Sequence, residues 1–585
     1  MNASKFLATA ALAVTTIAAP LARATTTVKV LGAGSSAMWQ TAATGAWNEL
    51  AGGGAGGALH LTVKGTCTVG NCAQINDSRG SYTGQTILPE SGNLWIVWNS
   101  TATEVWAYIS VDSVVGNRAY FANPRTTLAL DPGLEAGSGY TIPSGQTNLV
   151  SSNLWGLDQA SLPTAVYAAL NGAKITTAFT DIRPEDAHFA ACRVLNELEG
   201  STYAGLGYGS GTTCTTLIGT QILSAFSSTV ANPVNFNITG SDPFSKLKIP
   251  GATTVDVGAT PIVILVNRKD INGLGYGLTS TGGGVPAITN IDVPTVQTLW
   301  QGNECDTNVF STSASDAPPP VDVPIYAIQR EPLSGTMNTF EFTNIRCGQT
   351  QGVSTPGPCS STPPTIAYAT QEFGVNPPPE GTSNSNNPLN LACSTGGGSR
   401  MRAIGTGEMI NTGVYNTTDG IGYAFWGFGN VSKIANTPNY GYLTLQGVDP
   451  IQTTYSNGIL PLCDSAGSGV CPAAPGSSFP NLRNGSYRSW SVLRVVTNST
   501  GTSLTNTKLL VQAIQNNVNS TTPDFVPFVP VGADPGLQVY RSHYKQSGIT
   551  PNNGLGGEKE AGGDVGGCIE GPPLGTAPGV LDCHQ

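Results

Sequence analysis

Apolar positions along this chain switch repeatedly between two periods. From Thr27 they mark a short strand (Val28, Val30, Leu31), give way to a glycine turn at Gly32-Ala33-Gly34, and then recur at helical spacing through Trp39, Ala43, Ala46, Trp47 and Leu50. The pattern predicts a β-turn-α unit. Residues 59–63, 94–98 and 105–111 read as further strands, the last running into Asp112-Ser113. A helix is expected from Pro163, whose fixed φ suits a first turn, to Asn171-Gly172, where a helix terminator belongs. Residues 174–179 then form a strand leading into Asp181, and 323–328 a later one. The unbroken apolar run 261–266 is the signature of a strand buried on both faces, and Val293–Trp300 reads as a short helix. Strands alternating with helices predict parallel α/β sheets with ligand sites at the strand ends. Residues 316–320, 354–364 and 376–388 are Pro/Ser/Asn-rich loops, and the chain beyond Asn552 reads as a Gly-rich tail.

The first residues carry a different message. Lys5 precedes an apolar run over 6–19, Pro20 breaks it, and Ala22-Arg23-Ala24 sets small residues where signal peptidase reads, so cleavage is expected after Ala24. No later stretch reaches the 18 or so consecutive apolar residues that a membrane span needs. The expected product is therefore exported, periplasmic or extracellular, without membrane insertion. Charge adds an exclusion. With 26 Lys+Arg against 36 Asp+Glu the net charge is −10, and charged residues are 11% of the chain, under half the roughly 25% usual for soluble proteins. Binding to nucleic acid or anionic lipid runs on a basic excess that is missing here. Gly (73) and Pro (40) are abundant, yet 39% of residues are hydrophobic, which excludes both disorder and collagen.

Twelve cysteines in an exported chain form an even set, for which disulfides are the default. With four histidines and no C-x-x-C pair, no metal is expected. Local pairs such as Cys67 with Cys72, Cys192 with Cys214, Cys463 with Cys471 and Cys568 with Cys583 would each staple a Gly/Ser-rich excursion; the connectivity itself stays open.

Candidate chemistry lies in three turns where small hydroxyl residues or glycines follow a strand and precede a helix. They are Gly32-Ala33-Gly34-Ser35-Ser36, Asp112-Ser113-Val114-Val115-Gly116-Asn117-Arg118, and Arg330-Glu331-Pro332-Leu333-Ser334-Gly335-Thr336. Amides at a helix start carry roughly half a positive charge and hydroxyls add donors without bulk, so such turns suit tetrahedral anions. If they converge, they form an oxyanion cage.

In this order the turns resemble those of the PstS-like periplasmic phosphate-binding proteins. The opening G-A-G-[AS]-[TS] of that family is similar to Gly32-Ala33-Gly34-Ser35-Ser36, its S-S-G-G-V-[KR] to Ser113 onward, its F-x-x-S-D to Phe179-Thr180-Asp181, and its R-[SE]-x-x-S-G-T to Arg330-Glu331-Pro332-Leu333-Ser334-Gly335-Thr336, with Phe340-Glu341-Phe342 following. Residues 260–267, 292–302 and Gly420-Ile421-Gly422-Tyr423 resemble later family elements. The resemblance implies an α/β, two-lobed periplasmic-binding-protein fold of type II, with mixed sheets flanked by helices and loop-rich insertions. It divides the chain into a signal peptide (1–24), the first part of lobe 1 with an insertion (25–190), lobe 2 (191–431), a return to lobe 1 with decorations (432–551) and a disulfide-closed tail (552–585). It implies that Ser36 and Ser113 give ligand hydroxyls, that Asp181 accepts a hydrogen bond from the anion's own P–OH, that Arg330 supplies the positive charge, and that Ser334, Gly335 and Thr336 give further donors. The ligand would be inorganic phosphate or a related oxyanion, the partner an ABC-type permease, the protein a monomer without cofactor.

This sequence departs from the family at several points. Ala37 stands where an aromatic is usual, Val114-Val115 replaces a small pair, and Asp181 follows Phe179 more closely, so Asp112 rivals Asp181 as acceptor. Catalysis is not expected. There is no G-x-S-x-G elbow or H-E-x-x-H, the glycine run 205–211 lacks nucleotide-binding spacing, and Ser245-Lys246-Leu247-Lys248 lacks a K-T-G partner. The rival readings are a surface or adhesion scaffold on the same fold without a ligand, and a secreted phosphatase-like hydrolase.

Overall fold

The computed structural model describes residues 25–182, 251–344 and 390–541 with internal breaks, the longest at 275–287, 428–439 and 452–475, together with 568–570 and 580–583. The loops at 316–320, 354–364 and 376–388, the segments 205–211 and 245–248, His188, Glu341-Phe342 and six of the cysteines (Cys192, Cys214, Cys347, Cys359, Cys463 and Cys471) lie outside the described residues.

In chain order the main elements begin with β1 (Thr27–Gly34), α1 (Trp39–Leu50), β2 (Ala58–Val63), β3 (Asn93–Asn99), β4 (Glu104–Ser110) and α2 (Ser113–Phe121). Next come α3 (Thr164–Leu170), β5 (Thr177–Thr180), β6 (Ala252–Asn267), α4 (Val293–Trp300), β7 (Tyr326–Arg330) and α5 (Gly335–Phe340). The last are β8 (Asn390–Ala392), β9 (Ser399–Ala403), β10 (Gly420–Phe425), β11 (Tyr440–Leu445), β12 (Trp490–Asn498) and α6 (Thr502–Val518). Most expected elements form within a few residues of where the apolar pattern sets them. Three differ. The strand anticipated at 174–179 is confined to β5, that at 323–328 is shifted to β7, and Gly32-Ala33-Gly34 is the end of β1 rather than a turn. Glycine is required there because β1 is wedged against β5: at Gly34, whose φ is +144°, a Cβ would lie 1.9 Å from the Phe179 carbonyl oxygen.

The strands form one 14-stranded mixed sheet whose main path is β8-β9-β7-β10-β6-β12-β5-β1-β4-β3-β2. It consists of two halves joined through β6, a strand of 16 residues. Residues from Ala252 to Pro261 pair with β12, whereas Ile262 to Val266 pair with β10 and Ile264 to Asn267 with β11. The change of partner falls next to Pro261, which has no N–H to give a continuing ladder. Fold class is thus the expected α/β one: two halves of mixed sheet flanked by helices.

Within the first half, period-2 burial explains why β4 reads as nearly continuous apolar sequence. Val105, Ala107 and Ile109 face one core, under α2 and α3, while Trp106 and Tyr108 face the other, shared with α1. Ala42, Ala43 and Ala46 of α1 are fully buried, and their small side chains let α1 lie close to the sheet and α6. In the second half Phe340 stacks on Tyr423 with centroids 3.9 Å apart, and Trp300 meets both rings edge-on, which fastens α5 and α4 to β10. Cys67 is bonded to Cys72, and Cys305 to Cys393, a link across 88 residues. Cys568 and Cys583 are opposite partners in an antiparallel pair of short strands.

Candidate functional site

Parallel pairing decides where the chemistry gathers. β1 runs parallel to both β4 and β5, with Gly34 level with Ser110 on one side and Phe179 on the other. The three strands therefore end side by side, and the residues that leave them (Ser35-Ser36, Asp112-Ser113, Asp181) emerge along one edge. In the second half β7 runs parallel to β9, with Arg330 level with Ala403. Arg330 and the segment Gly405-Thr406 consequently emerge together. The two edges face each other.

On the first edge Asp181 is the hub and is 1% exposed. Its Oδ2 accepts from the Ser35 hydroxyl at 3.2 Å and its Oδ1 from the Ser113 hydroxyl. The Asp181 N–H donates to Ser113 Oγ at 3.3 Å, and its carbonyl accepts from the Ser491 hydroxyl. Ser35 is fixed in turn, since Tyr108 OH donates to its carbonyl and its N–H donates to the Phe179 carbonyl at 2.9 Å. Burial pushes the Asp181 carboxyl above its ordinary value; the hydroxyls of Ser113 and Ser35, its own amide and the charge of Arg330 pull the other way. Burial also pushes the Tyr108 phenol well up, with the nearby charges of Asp181 and Asp112 adding to the effect.

Across the junction Arg330, 1% exposed, donates from Nη2 to Asp112 Oδ1 at 2.7 Å and from Nη1 to Thr406 Oγ1 at 2.8 Å. Thr406 Oγ1 lies 2.7 Å from Ser36 Oγ. Gly335 touches the hub directly: a Cβ there would lie 1.5 Å from Asp181 Oδ1 and 2.5 Å from Ser113 Oγ. Ser334 turns its hydroxyl back to accept from the Met337 N–H at 3.2 Å, as an N-cap residue does. Thr336 is buried in the first turn of α5.

Of the residues singled out in the sequence, the structure brings together Ser36, Ser113, Asp181, Arg330 and Gly335, with Ser334 and Thr336 buried beside Gly335 in the chain. Ser36 reaches Thr406; the serine of the first turn that joins Ser113 on Asp181 is Ser35. Sequence reasoning passed over Ser35, Thr406 and Tyr108. For Thr406 a signal was present, because Gly405-Thr406-Gly407 repeats the glycine-and-hydroxyl pattern soon after a strand, β9, at the start of a short helix, Gly405–Glu408. Tyr108 had none beyond its place in an apolar strand. Among the described residues no group of three or more His, Cys, Asp or Glu side chains is arranged to hold a metal. No described helix is long and apolar enough to cross a membrane.

No family model and no curated protein matches the chain. Solved structures similar to it include a phosphate-binding protein from Stenotrophomonas maltophilia, at 10% identity, covering 83% of this chain and 82% of that one with a TM-score of 0.31. A human phosphate-binding apolipoprotein overlaps at 13% identity over 78% and 84% with a TM-score of 0.28. An ABC-type phosphate transport receptor from Vibrio cholerae overlaps at 11% identity over 46% and 68% with a TM-score of 0.23.

Proposed function

We propose that this chain is an exported solute-binding protein that captures inorganic phosphate, or a related tetrahedral oxyanion, between two lobes and hands it to an ABC-type membrane permease. The lobes are taken as 25–190 with 432–551, and 191–431, after a signal peptide over 1–24 and with a tail over 552–585. One observation carries the reading: a buried guanidinium from one half is bonded to a carboxylate of the other half, beside a hydroxyl pair (Thr406 and Ser36) that also spans the two halves, at the converging ends of parallel strands. Strand ends of this kind are where open α/β sheets bind ligands. Charge-assisted hydrogen bonds at about 1.5–3 kcal/mol each can retain an anion without a basic surface. Asp181 gives selectivity. An ionised carboxylate accepts from a ligand that keeps a P–OH, as phosphate does near neutral pH, and meets sulfate lone pair against lone pair.

Calorimetry of protein stripped of bound anion tests this. Phosphate should bind with unit stoichiometry and sulfate far more weakly, Arg330→Ala should cost at least about 2–4 kcal/mol of binding, and Asp181→Asn should admit sulfate. The rival is a scaffold or adhesion protein without a ligand, and what favours it is that Arg330 already has a carboxylate partner inside the chain. Absence of heat and of a thermal shift at millimolar phosphate would decide for the scaffold.

A further inference from the structure

The Asp112–Arg330 pair joins the two halves of the molecule at the point where an anion would be held, and its position is unusual for an aspartate in two ways. Asp112 is the residue immediately before α2, where an Asp side chain ordinarily accepts from the first amides of its own helix; here it makes no such cap bond. Its carboxylate is directed to the opposite half, onto Arg330 at 2.7 Å. Its backbone is held at φ 69°, ψ 158°, a region adopted almost only by glycine. Chain conformation and cap chemistry would both favour another arrangement; the contact with Arg330 is what the observed one gains. A carboxylate presents to a guanidinium the same pair of lone-pair-bearing oxygens that a phosphate does. Among the groups named at the junction, Arg330 carries the only positive charge, set against the carboxyls of Asp112 and Asp181.

We infer that Asp112 is an internal competitor for the anion: it occupies Arg330 when no ligand is bound, and a ligand binds by displacing it. The displaced side chain has a ready alternative partner in the amides at the start of α2. This rests on the binding reading above and extends it by naming the residue that sets how tightly the site holds any tetrahedral anion. Affinity is lowered by the fraction of molecules in which the competitor holds the arginine, so removing the competitor restores it. A purely structural Asp112 predicts the opposite, because losing a partly buried ion pair would loosen the site.

The test is phosphate titration of wild type, Asp112→Asn and Asp112→Gly, each stripped of anion. Asparagine keeps the shape without the charge, and glycine accepts the backbone conformation without strain, so the pair separates charge from folding. Both variants should bind phosphate about tenfold tighter or more than wild type. Phosphate bound by wild type but equally or less tightly by both variants would overturn the inference and leave the binding reading standing. No binding by any of the three proteins would overturn both.

Discussion

Gly335→Ala adds one methyl group at the most crowded point between the two halves. The new Cβ would sit 1.5 Å from Asp181 Oδ1 and 2.5 Å from Ser113 Oγ, where a carbon and an oxygen in contact stay about 3.3 Å apart. Nearly 2 Å must therefore be found. Asp181 can yield only by leaving the hydroxyls of Ser35 and Ser113, and bonds to a charged group contribute about 1.5–3 kcal/mol each. Otherwise Gly335 withdraws, and a comparable displacement carries Ser36–Thr406, now at 2.7 Å, beyond hydrogen-bond reach. Either route disfavours the closed arrangement by about 3 kcal/mol, equivalent to roughly a hundredfold in affinity. Phosphate calorimetry on Gly335→Ala and wild type measures the loss directly, with thermal melting to confirm that the variant is folded. A variant that melts like wild type and binds within about threefold of it would refute the claim that the closed contact of Gly335 with Asp181 belongs to the binding geometry.

Asp181 is buried with its pKa raised above 3.8, so the folded state holds this proton more tightly than the unfolded chain does. Its contribution to stability is full below the unfolded value and is lost as pH rises through the folded one. Chemical denaturation across that window should show Asp181→Asn gaining on wild type as pH rises, and a constant offset would contradict it. The Cys305–Cys393 bond closes 88 residues and Cys67–Cys72 only 5. Chain-entropy arithmetic gives about 4–5 and about 2 kcal/mol respectively, so urea denaturation of the paired Cys→Ser variants should rank them in that order, and equal losses would count against it. Arg483 holds Asp534 in a buried two-bond pair at 2.6 and 2.9 Å. Asp534→Ala should destabilise by about 3–5 kcal/mol; a loss under about 1 kcal/mol, the size of a surface pair, would show that this contact is not a buried one in solution.

Local pattern was a good guide wherever burial itself is periodic. The run 261–266 announces a strand buried on both faces, and there β6 is hydrogen-bonded to both β10 and β11 with Ile262, Val263, Ile264 and Leu265 wholly buried. Val293–Trp300 was legible because Val296, Leu299 and Trp300, with Val293 packed beside them, face one core at helical spacing. Where a strand ends is a different kind of fact. Gly34 stays in β1 because Phe179 packs against it, and Phe179 is far away in sequence. The same reason separates Ser35 from Ser36. Successive side chains near a strand end point in opposite directions, so a difference of one residue decides which hydroxyl meets Asp181 and which meets Thr406.

By itself, then, the sequence determined the α/β alternation and the glycine-and-hydroxyl segments, because each depends on neighbours within a few residues; Cys67 with Cys72 was one local pair among those expected, and roles for Ser113, Asp181 and Arg330 came only from the family resemblance. Only the tertiary structure decided that Arg330 meets Asp112 across 218 positions and that Ser36 meets Thr406 across 370. It alone joined Cys305 to Cys393 and turned Asp112 away from its own helix. Those pairings arise from the parallel register of β1 with β4 and β5 and of β7 with β9, and register is fixed by which apolar faces are buried together, a property of the packed sheet and not of any one segment.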